Sequence, residues 1–323
     1  TDMLHHFTRS IAHIALPDKF TYPFHYTPHP LCVMAADEVQ VYLQHQAQWQ
    51  DELQQGKMFG VLIVQTTEGE IGYLAAFSGI LAGKNIHPYF VPPIYDLLQP
   101  DGFFKKEEEH ISAINHRIRE LEEDTSYQKC RQALEEETAR CSRLLSQAKA
   151  KLKAAKELRD CRRQTEQLSE SEQAAMIRES QFQKAELKRL ERSLKEHLSS
   201  LQKETDTYVS QIEALKNERK SRSATLQQQL FEQFRLLNAR GEVKDLCSIF
   251  AHTVHKIPPA GAGECAAPKL LQYAYFHHYR PVAMAEFWWG DSPKAEIRHH
   301  GHYYPACKGK CEPILGHMLQ GLE

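Results

Sequence analysis

All 15 prolines and all 15 glycines of the 323-residue chain lie outside residues 107–240. A stretch of this length without either helix breaker is typical of long helices. The flanking segments, in contrast, hold all three tryptophans and most of the other aromatic residues. The sequence therefore predicts one compact body made from residues 1–105 and 241–323, interrupted by a helical insertion at residues 106–240.

Apolar residues of the insertion recur at alternating steps of three and four, which is the spacing of a coiled-coil seam. The return arm illustrates this spacing with Leu187, Leu190, Leu194, Leu198 and Leu201. A serine-rich break separates the two arms and offers helix caps. We predict an antiparallel coiled-coil hairpin with its tip near residues 169–175. One continuous helix that forms a parallel homodimer is the alternative.

The flanking segments predict an α/β (α+β) body with a small mixed sheet. Two apolar runs on either side of Thr66–Gly69 predict a β-hairpin, and PVAMAEFWWG at 281–290 predicts a buried strand. Helices are predicted over residues 35–56, residues 242–254 and residues 265–278. Because each flank alone is short, we expect the two flanks to pair into one sheet.

The totals exclude some classes of protein. A formal net charge of -2 provides no global basic field for nucleic acid. No stretch approaches the ~18 apolar residues of a membrane helix. The eight cysteines are scattered, and three of them lie in the insertion, which is no disulfide framework. These features predict a cytoplasmic protein without a membrane partner.

One group of residues has the character of metal ligands. Zinc takes four thiolate or imidazole ligands, often from two separated segments. Cys307 and Cys311 are four residues apart and would share one face of a helix. Together with Cys265 and His302 they form a candidate structural zinc site. Free thiols and a small buried Cys265 are the alternative.

The order of elements around these cysteines resembles the zinc-dependent deaminase fold, in which one helix opens with a ligand and the next with P-C-x-x-C. Here GECAAPKLL and PACKGKC take those places. The deaminase glutamate stands two residues after the first ligand, where this chain has Ala267. Glu264 precedes Cys265 instead, and the second motif is one residue longer. A zinc-binding deaminase-like enzyme that uses Glu264 is therefore one alternative function.

The insertion also carries clustered cations interleaved with glutamates. A solvated, ion-paired helix face is one interpretation. Contact with RNA phosphates is the other, because phosphate binding needs only accessible cations. The candidate RNA-binding residues are Lys149, Lys153, Lys156, Lys184, Lys188, Arg189 and Arg192.

Long blocks of the flanks carry a resemblance to a known family. The blocks are FTYPFHYTPHPLCVMAADEVQ, GEIGYLAAFSGIL, VPPIYDLL, GECAAPKLLQYAY and MAEFWWGDSPKAEIRHHGHYYPACKGKCEPILGHML. They resemble the N-terminal extension of a bacterial subgroup of RluA-type pseudouridine synthases. The resemblance covers both flanks and the position of the insertion.

This resemblance implies a synthase domain in the same polypeptide that acts on uridines of ribosomal or transfer RNA and needs no cofactor. The synthase motif H-R-L-D has no counterpart in this chain. The nearest string, residues 116–119, reads His-Arg-Ile-Arg and lacks the nucleophilic carboxylate. No catalytic residue is carried over.

The leading hypothesis is a non-catalytic accessory module that positions RNA for a pseudouridine synthase. A deaminase-like zinc enzyme is the second hypothesis. A coiled-coil device for protein interaction or dimerisation is the third.

Overall fold

The structure is a computed structural model that describes residues 2–322 of a mixed α/β protein. The chain divides into two compact units. The sheet unit contains the residues up to Glu107 and those from Ala224 onward. The helical unit contains residues Glu108–Ser223. The predicted α/β class is therefore confirmed.

Strands β1 (Lys57–Gln65) and β2 (Ile71–Phe77) form an antiparallel hairpin. Strands β3 (Arg235–Leu237) and β4 (Val243–Asp245) pair in a separate two-stranded sheet. Strand β5 (Arg280–Trp289) lies antiparallel to β1 on the side away from β2. The larger sheet therefore has the order β2-β1-β5 and joins strands from both flanks, as the sequence predicts. The predicted mixed sheet is wrong, because both neighbours of β1 run antiparallel to it, as do β3 and β4 to each other.

One face of this sheet is covered by α1 (Pro30–Gln44). The predicted helix over residues 35–56 is wrong in its extent. It starts earlier because Pro30 occupies the first helical position, where the missing N–H has no helical partner in any case. It also ends at Gln44, and a short helix α2 (Gln50–Gln54) follows separately.

The long helices come next in the chain, as α3 (Phe103–Glu123), α4 (Thr125–Thr165) and α5 (Glu170–Gln233). Asp124 caps α4 by accepting hydrogen bonds from two backbone N–H groups. Ser169 and Glu172 form a reciprocal capping box at the start of α5. This box explains why residues 170–175, predicted at a tip, are helical and why the break falls at 166–169.

Contacts within the helical unit pair α3 and α4 with α5. The partner numbers on α5 fall as those on the first two helices rise. The pairs are Asn115 with Arg219, Glu122 with Lys216, Tyr127 with Tyr208, Glu137 with His197, Lys149 with Glu191 and Arg159 with Gln183. Ile118, Leu121 and Ile212 form a small buried cluster.

The second face of the sheet is covered by α7 (Ala266–Phe276). Helices α6 (Leu246–Phe250) and α8 (Lys308–Met318) contribute to the same hydrophobic core and pack against each other, and α8 also packs against α7. The predicted helix over residues 242–254 is wrong at both ends. Its first residues form β4, and Asp245 caps the short α6 by accepting a hydrogen bond from Ser248. The predicted helix over 265–278 is confirmed, with Cys265 as its N-cap and Pro268 in the first turn.

The end of β5 depends on a glycine at a close backbone approach. Gly290 has φ +108°, and a Cβ there would lie 2.0 Å from the carbonyl oxygen of Leu53. We expect Gly290→Ala to lower the free energy of unfolding by at least about 3 kcal/mol, since backbone strain and overlap add. Denaturant unfolding followed by tryptophan fluorescence measures the loss.

Gly69→Ala is the matched control. Gly69 has φ +87° in the hairpin turn, but a Cβ there would meet no atom within 4 Å. Only the backbone strain of about 1–2 kcal/mol should appear. Equal losses in both variants would contradict the packing described for Gly290.

Candidate metal centre and basic helical surface

Three cysteines converge where two helices begin. Cys265 is the N-cap of α7, Cys307 is the N-cap of α8, and Cys311 lies in the first turn of α8. Their sulfur atoms all lie within 4.8 Å of one another, and those of Cys307 and Cys311 are 3.5 Å apart. The structure thus brings together three of the four predicted metal ligands.

A missing side chain in β1 allows α7 to reach this position. An added Cβ at Gly60 would lie 3.0 Å from both Ala266 Cβ and Leu270 Cδ1. A side chain at position 60 would require Ala266 and Leu270 to shift by a few tenths of an ångström. Gly60 therefore permits the close approach of β1 to the first turns of α7, which begins immediately after Cys265.

The geometry of the cluster fits a metal ion. Tetrahedral zinc holds thiolates at about 2.3 Å, which places sulfur atoms about 3.8 Å apart. The 3.5 Å separation of the Cys307 and Cys311 sulfurs, and the 4.8 Å limit that holds for all three, are compatible with that value. The N-termini of α7 and α8 also carry partial positive charge, which favours thiolates at their caps. The three cysteines could therefore hold a zinc ion.

His302, the fourth predicted ligand, is not brought into this group. It is exposed, and its ring centroid lies 5.3 Å from that of His299. Glu264 is half-buried beside the cluster but is not among the grouped ligand atoms either. Nearness in sequence was the only signal for His302, and the loop before α8 carries it elsewhere.

The three thiols influence one another strongly. Hydrogen bonds from Cys265 and Cys311 hold the pKa of Cys307 well below its usual value. The hydrogen bond with Cys307, together with burial, raises the pKa of Cys265, and hydrogen bonds with Cys265 and Cys307 raise the pKa of Cys311. Binding of a metal ion by all three sulfur atoms requires the thiols to lose their protons, so metal affinity at this cluster should rise with pH.

Glu286 is a buried carboxylate beside this cluster. It lies on β5 opposite Gly60 and is 6% exposed. Its Oε1 accepts a hydrogen bond of 3.2 Å from the backbone N–H of Ala267, two residues after Cys265. Burial raises the pKa of Glu286 to about 7, against the opposing effect of the Ala267 hydrogen bond.

Sequence reasoning missed Glu286. The available signal was a single acidic residue within the apolar strand MAEFWW. An acidic side chain in the middle of a buried strand is costly, so it indicates either a compensating partner or a functional role. The sequence could not name its partner, because Ala267 lies on a different element.

Lys269 is a buried cation on α7 near the same cluster. Its Nζ donates hydrogen bonds to the carbonyl oxygens of Phe77 at 2.8 Å and Gly79 at 3.3 Å. Burial lowers its pKa to about 8, while Glu264 acts in the opposite direction. Lys269 therefore brings positive charge close to a group of thiols and carboxylates.

The helical unit has an uneven charge distribution. Residues 143–195, which flank the break at 166–169, contain 14 Lys and Arg and 8 Asp and Glu, a net charge of +6. The remainder of the unit, residues 108–142 and 196–223, contains 10 Lys and Arg and 14 Asp and Glu, a net charge of -4. We call residues 143–195 the basic segment.

All seven predicted RNA-binding cations lie in the basic segment and are exposed. Lys149 pairs with Glu191 at 3.9 Å, and Arg189 pairs with Glu186. Within the described residues the other five make no ion pair, namely Lys153, Lys156, Lys184, Lys188 and Arg192. Most of these cations are therefore available to an external anion.

Arg159 was not among the predicted residues and behaves differently. It is buried between the helices, where it donates to Gln183 Oε1 at 2.8 Å and lies 3.8 Å from Glu179. Its position four residues after Ala155, an apolar residue of the coiled-coil seam, was the only sequence signal that Arg159 faces the other helix. It stabilises helix pairing and leaves the exposed lysines to face solvent.

Comparison with known proteins gives no relative. No protein family, curated protein or solved structure matches the chain. Among residues 2–322, no helix is long and apolar enough to cross a lipid bilayer.

The raised pKa of Glu286 makes a prediction for metal-free protein. Its folded pKa of about 7 exceeds the ordinary 4.5, so the unfolded chain releases this proton first as pH rises. Stability from the protonated carboxyl is complete below pH 4.5 and is lost as pH rises to 7. We expect the difference in unfolding free energy between wild type and Glu286→Gln to change by about 2–3 kcal/mol over this window.

The measurement is urea unfolding at a series of pH values after treatment with a chelator. Taking the difference removes contributions from histidines that both proteins share. A pH-independent difference would contradict the burial of an ionisable Glu286.

Proposed function

We propose that this chain is a non-catalytic accessory module that positions RNA for a pseudouridine synthase domain. Two features support the proposal. The long sequence blocks of the flanks resemble the N-terminal extension of RluA-type synthases. The second feature, which carries the RNA-binding part, is the net charge of +6 on the basic segment with five unpaired cations within the described residues.

We further propose that the helical unit is an antiparallel coiled-coil hairpin. The descending partner numbers along α5 support this arrangement. At 1.5 Å per residue, the 41-residue α4 extends about 60 Å from Asp124 to the break at 166–169. A rigid pair of helices holds cations at that distance with little loss of conformational entropy, which suits contact with a large folded RNA.

The RNA proposal predicts a specific loss of affinity. Replacing Lys153, Lys156 and Lys184 with Gln should lower the salt dependence of binding to a ribosomal RNA fragment. Each lost phosphate contact reduces the slope of log K against log salt by about 0.7–0.9, so three should reduce it by about 2. Fluorescence anisotropy at several salt concentrations measures the slope.

Lys129, Lys203 and Lys220 provide a matched control. They are exposed lysines of the same helical unit that lie outside the basic segment. Their replacement with Gln removes the same total charge but should leave the slope nearly unchanged. Equal effects of the two triple variants would contradict a localised RNA-binding surface. Pseudouridine formation by this chain alone would contradict its non-catalytic role.

A second candidate function is a zinc-dependent deaminase-like body. It is favoured by the three-cysteine cluster at the starts of two helices and by the order of elements around it. A hairpin is followed by a helix that begins with a ligand, then by a strand antiparallel to β1, then by a helix with two ligands. In deaminases the bound zinc activates a water for attack on an amine-bearing ring carbon.

If the body is a zinc-dependent deaminase-like enzyme, elemental analysis of the purified protein should find one zinc ion per chain. Serine at Cys265, Cys307 or Cys311 should each lower zinc affinity by about 10–100-fold or more, because a thiolate ligand is lost. Cys161→Ser, at an exposed position of the helical unit, is the control and should retain the ion.

Ammonia release from cytidine or adenosine by zinc-loaded protein tests the reaction. Zinc binding without release would leave a structural ion and contradict the deaminase role.

A further inference from the structure

The metal cluster offers three protein ligands rather than four. Within residues 2–322, the grouped ligand atoms are three cysteine sulfurs and include no histidine or carboxylate. Structural zinc sites are closed by four protein ligands, whereas sites with three keep a position for water or substrate. Cys307 is exposed, so this side of the cluster is open to solvent.

Two independent constraints place Glu286 under the first turn of α7, close enough to Cys307 for the two charges to interact. The register of β5 sets it opposite Gly60, on the face of the sheet that α7 covers. Its Oε1 is then fixed by the Ala267 N–H in the first turn after Cys265. Within the described residues, Oε2 makes no hydrogen bond to the protein.

We infer that Glu286 faces an exchangeable fourth position on a metal held by Cys265, Cys307 and Cys311. Its carboxylate takes the place of the glutamate that deaminase helices carry where this chain has Ala267. In this chain the carboxylate comes from β5 rather than from the helix. The hydrogen bond from Ala267 N–H holds it at the first turn of α7. Oε2 can accept a hydrogen bond, and then a proton, from a water in the fourth position.

This inference rests on the metal site of the second candidate function and does not depend on RNA binding or on the substrate. A purely structural role, in which Glu286 only caps α7, is the competing explanation. The Glu286→Gln substitution distinguishes these two explanations. The amide oxygen of Glu286→Gln can still accept from Ala267 N–H, but the negative charge and the proton acceptor are lost.

The experiment uses the full chain loaded with Co²⁺, whose visible absorption reports both thiolate ligation and the fourth ligand. Thiocyanate is titrated as a monodentate anion at mildly alkaline pH. We expect wild type, Glu286→Gln and Glu264→Gln to bind one Co²⁺ with the same thiolate absorption. This shared absorption, with unchanged circular dichroism, verifies that each variant is folded.

Thiocyanate should bind Glu286→Gln at least about tenfold more tightly than wild type. A nearby carboxylate repels an anion at the fourth position, and a tenfold change in affinity corresponds to about 1.4 kcal/mol. Glu264→Gln should change the affinity less, because Lys269 and Lys310 offset the charge of Glu264. Glu286→Asp, which keeps the charge, should remain close to wild type.

Three results would overturn the inference, and they are distinguishable. Absence of bound Co²⁺ would remove the metal site itself, and with it the second candidate function. A spectrum insensitive to thiocyanate in every variant would mean that the fourth position is closed. Equal thiocyanate affinities for wild type and Glu286→Gln would leave Glu286 as a helix cap only.

Discussion

The absence of a side chain at Gly60 allows α7 to lie directly on β1. Ala266 and Leu270 approach so closely that any Cβ at position 60 would be in tight contact with both. This approach sets the position of Cys265 relative to α8, and it brings Ala267 within hydrogen-bonding distance of Glu286. The sulfur cluster and the buried carboxylate thus both depend on one close helix–strand contact.

The sequence carried enough information for the elements whose pattern is local. Lack of proline and glycine, together with a seam of apolar residues, predicted the long helices. Two apolar runs on either side of Thr66–Gly69 predicted the hairpin, and continuous apolar character predicted β5. The boundaries were less predictable, because caps decide them. Ser169 with Glu172 moves the start of α5, and Pro30 begins α1 earlier than the predicted start at residue 35.

The candidate site was only partly predictable, for a physical reason. The three cysteines could be grouped because thiols at helix starts are chemically distinctive. His302 was added from nearness in sequence, although the loop before α8 directs it to solvent. Glu286 was missed because its role depends on strand register and on a backbone donor of another element. Single-residue chemistry can be read from a sequence, but a hydrogen bond between distant elements cannot.

The order of the strands has a consequence for how the protein is made. β1 must find its second neighbour β5, and Gly60 pairs with Glu286, more than two hundred residues further along the chain. During synthesis the ribosome therefore releases an apolar hairpin with one open edge long before its partner exists. The helical unit, whose contacts are formed within residues 108–223, can fold in the meantime. Until β5 emerges, the unpaired edge of β1 is a site at which another chain could pair.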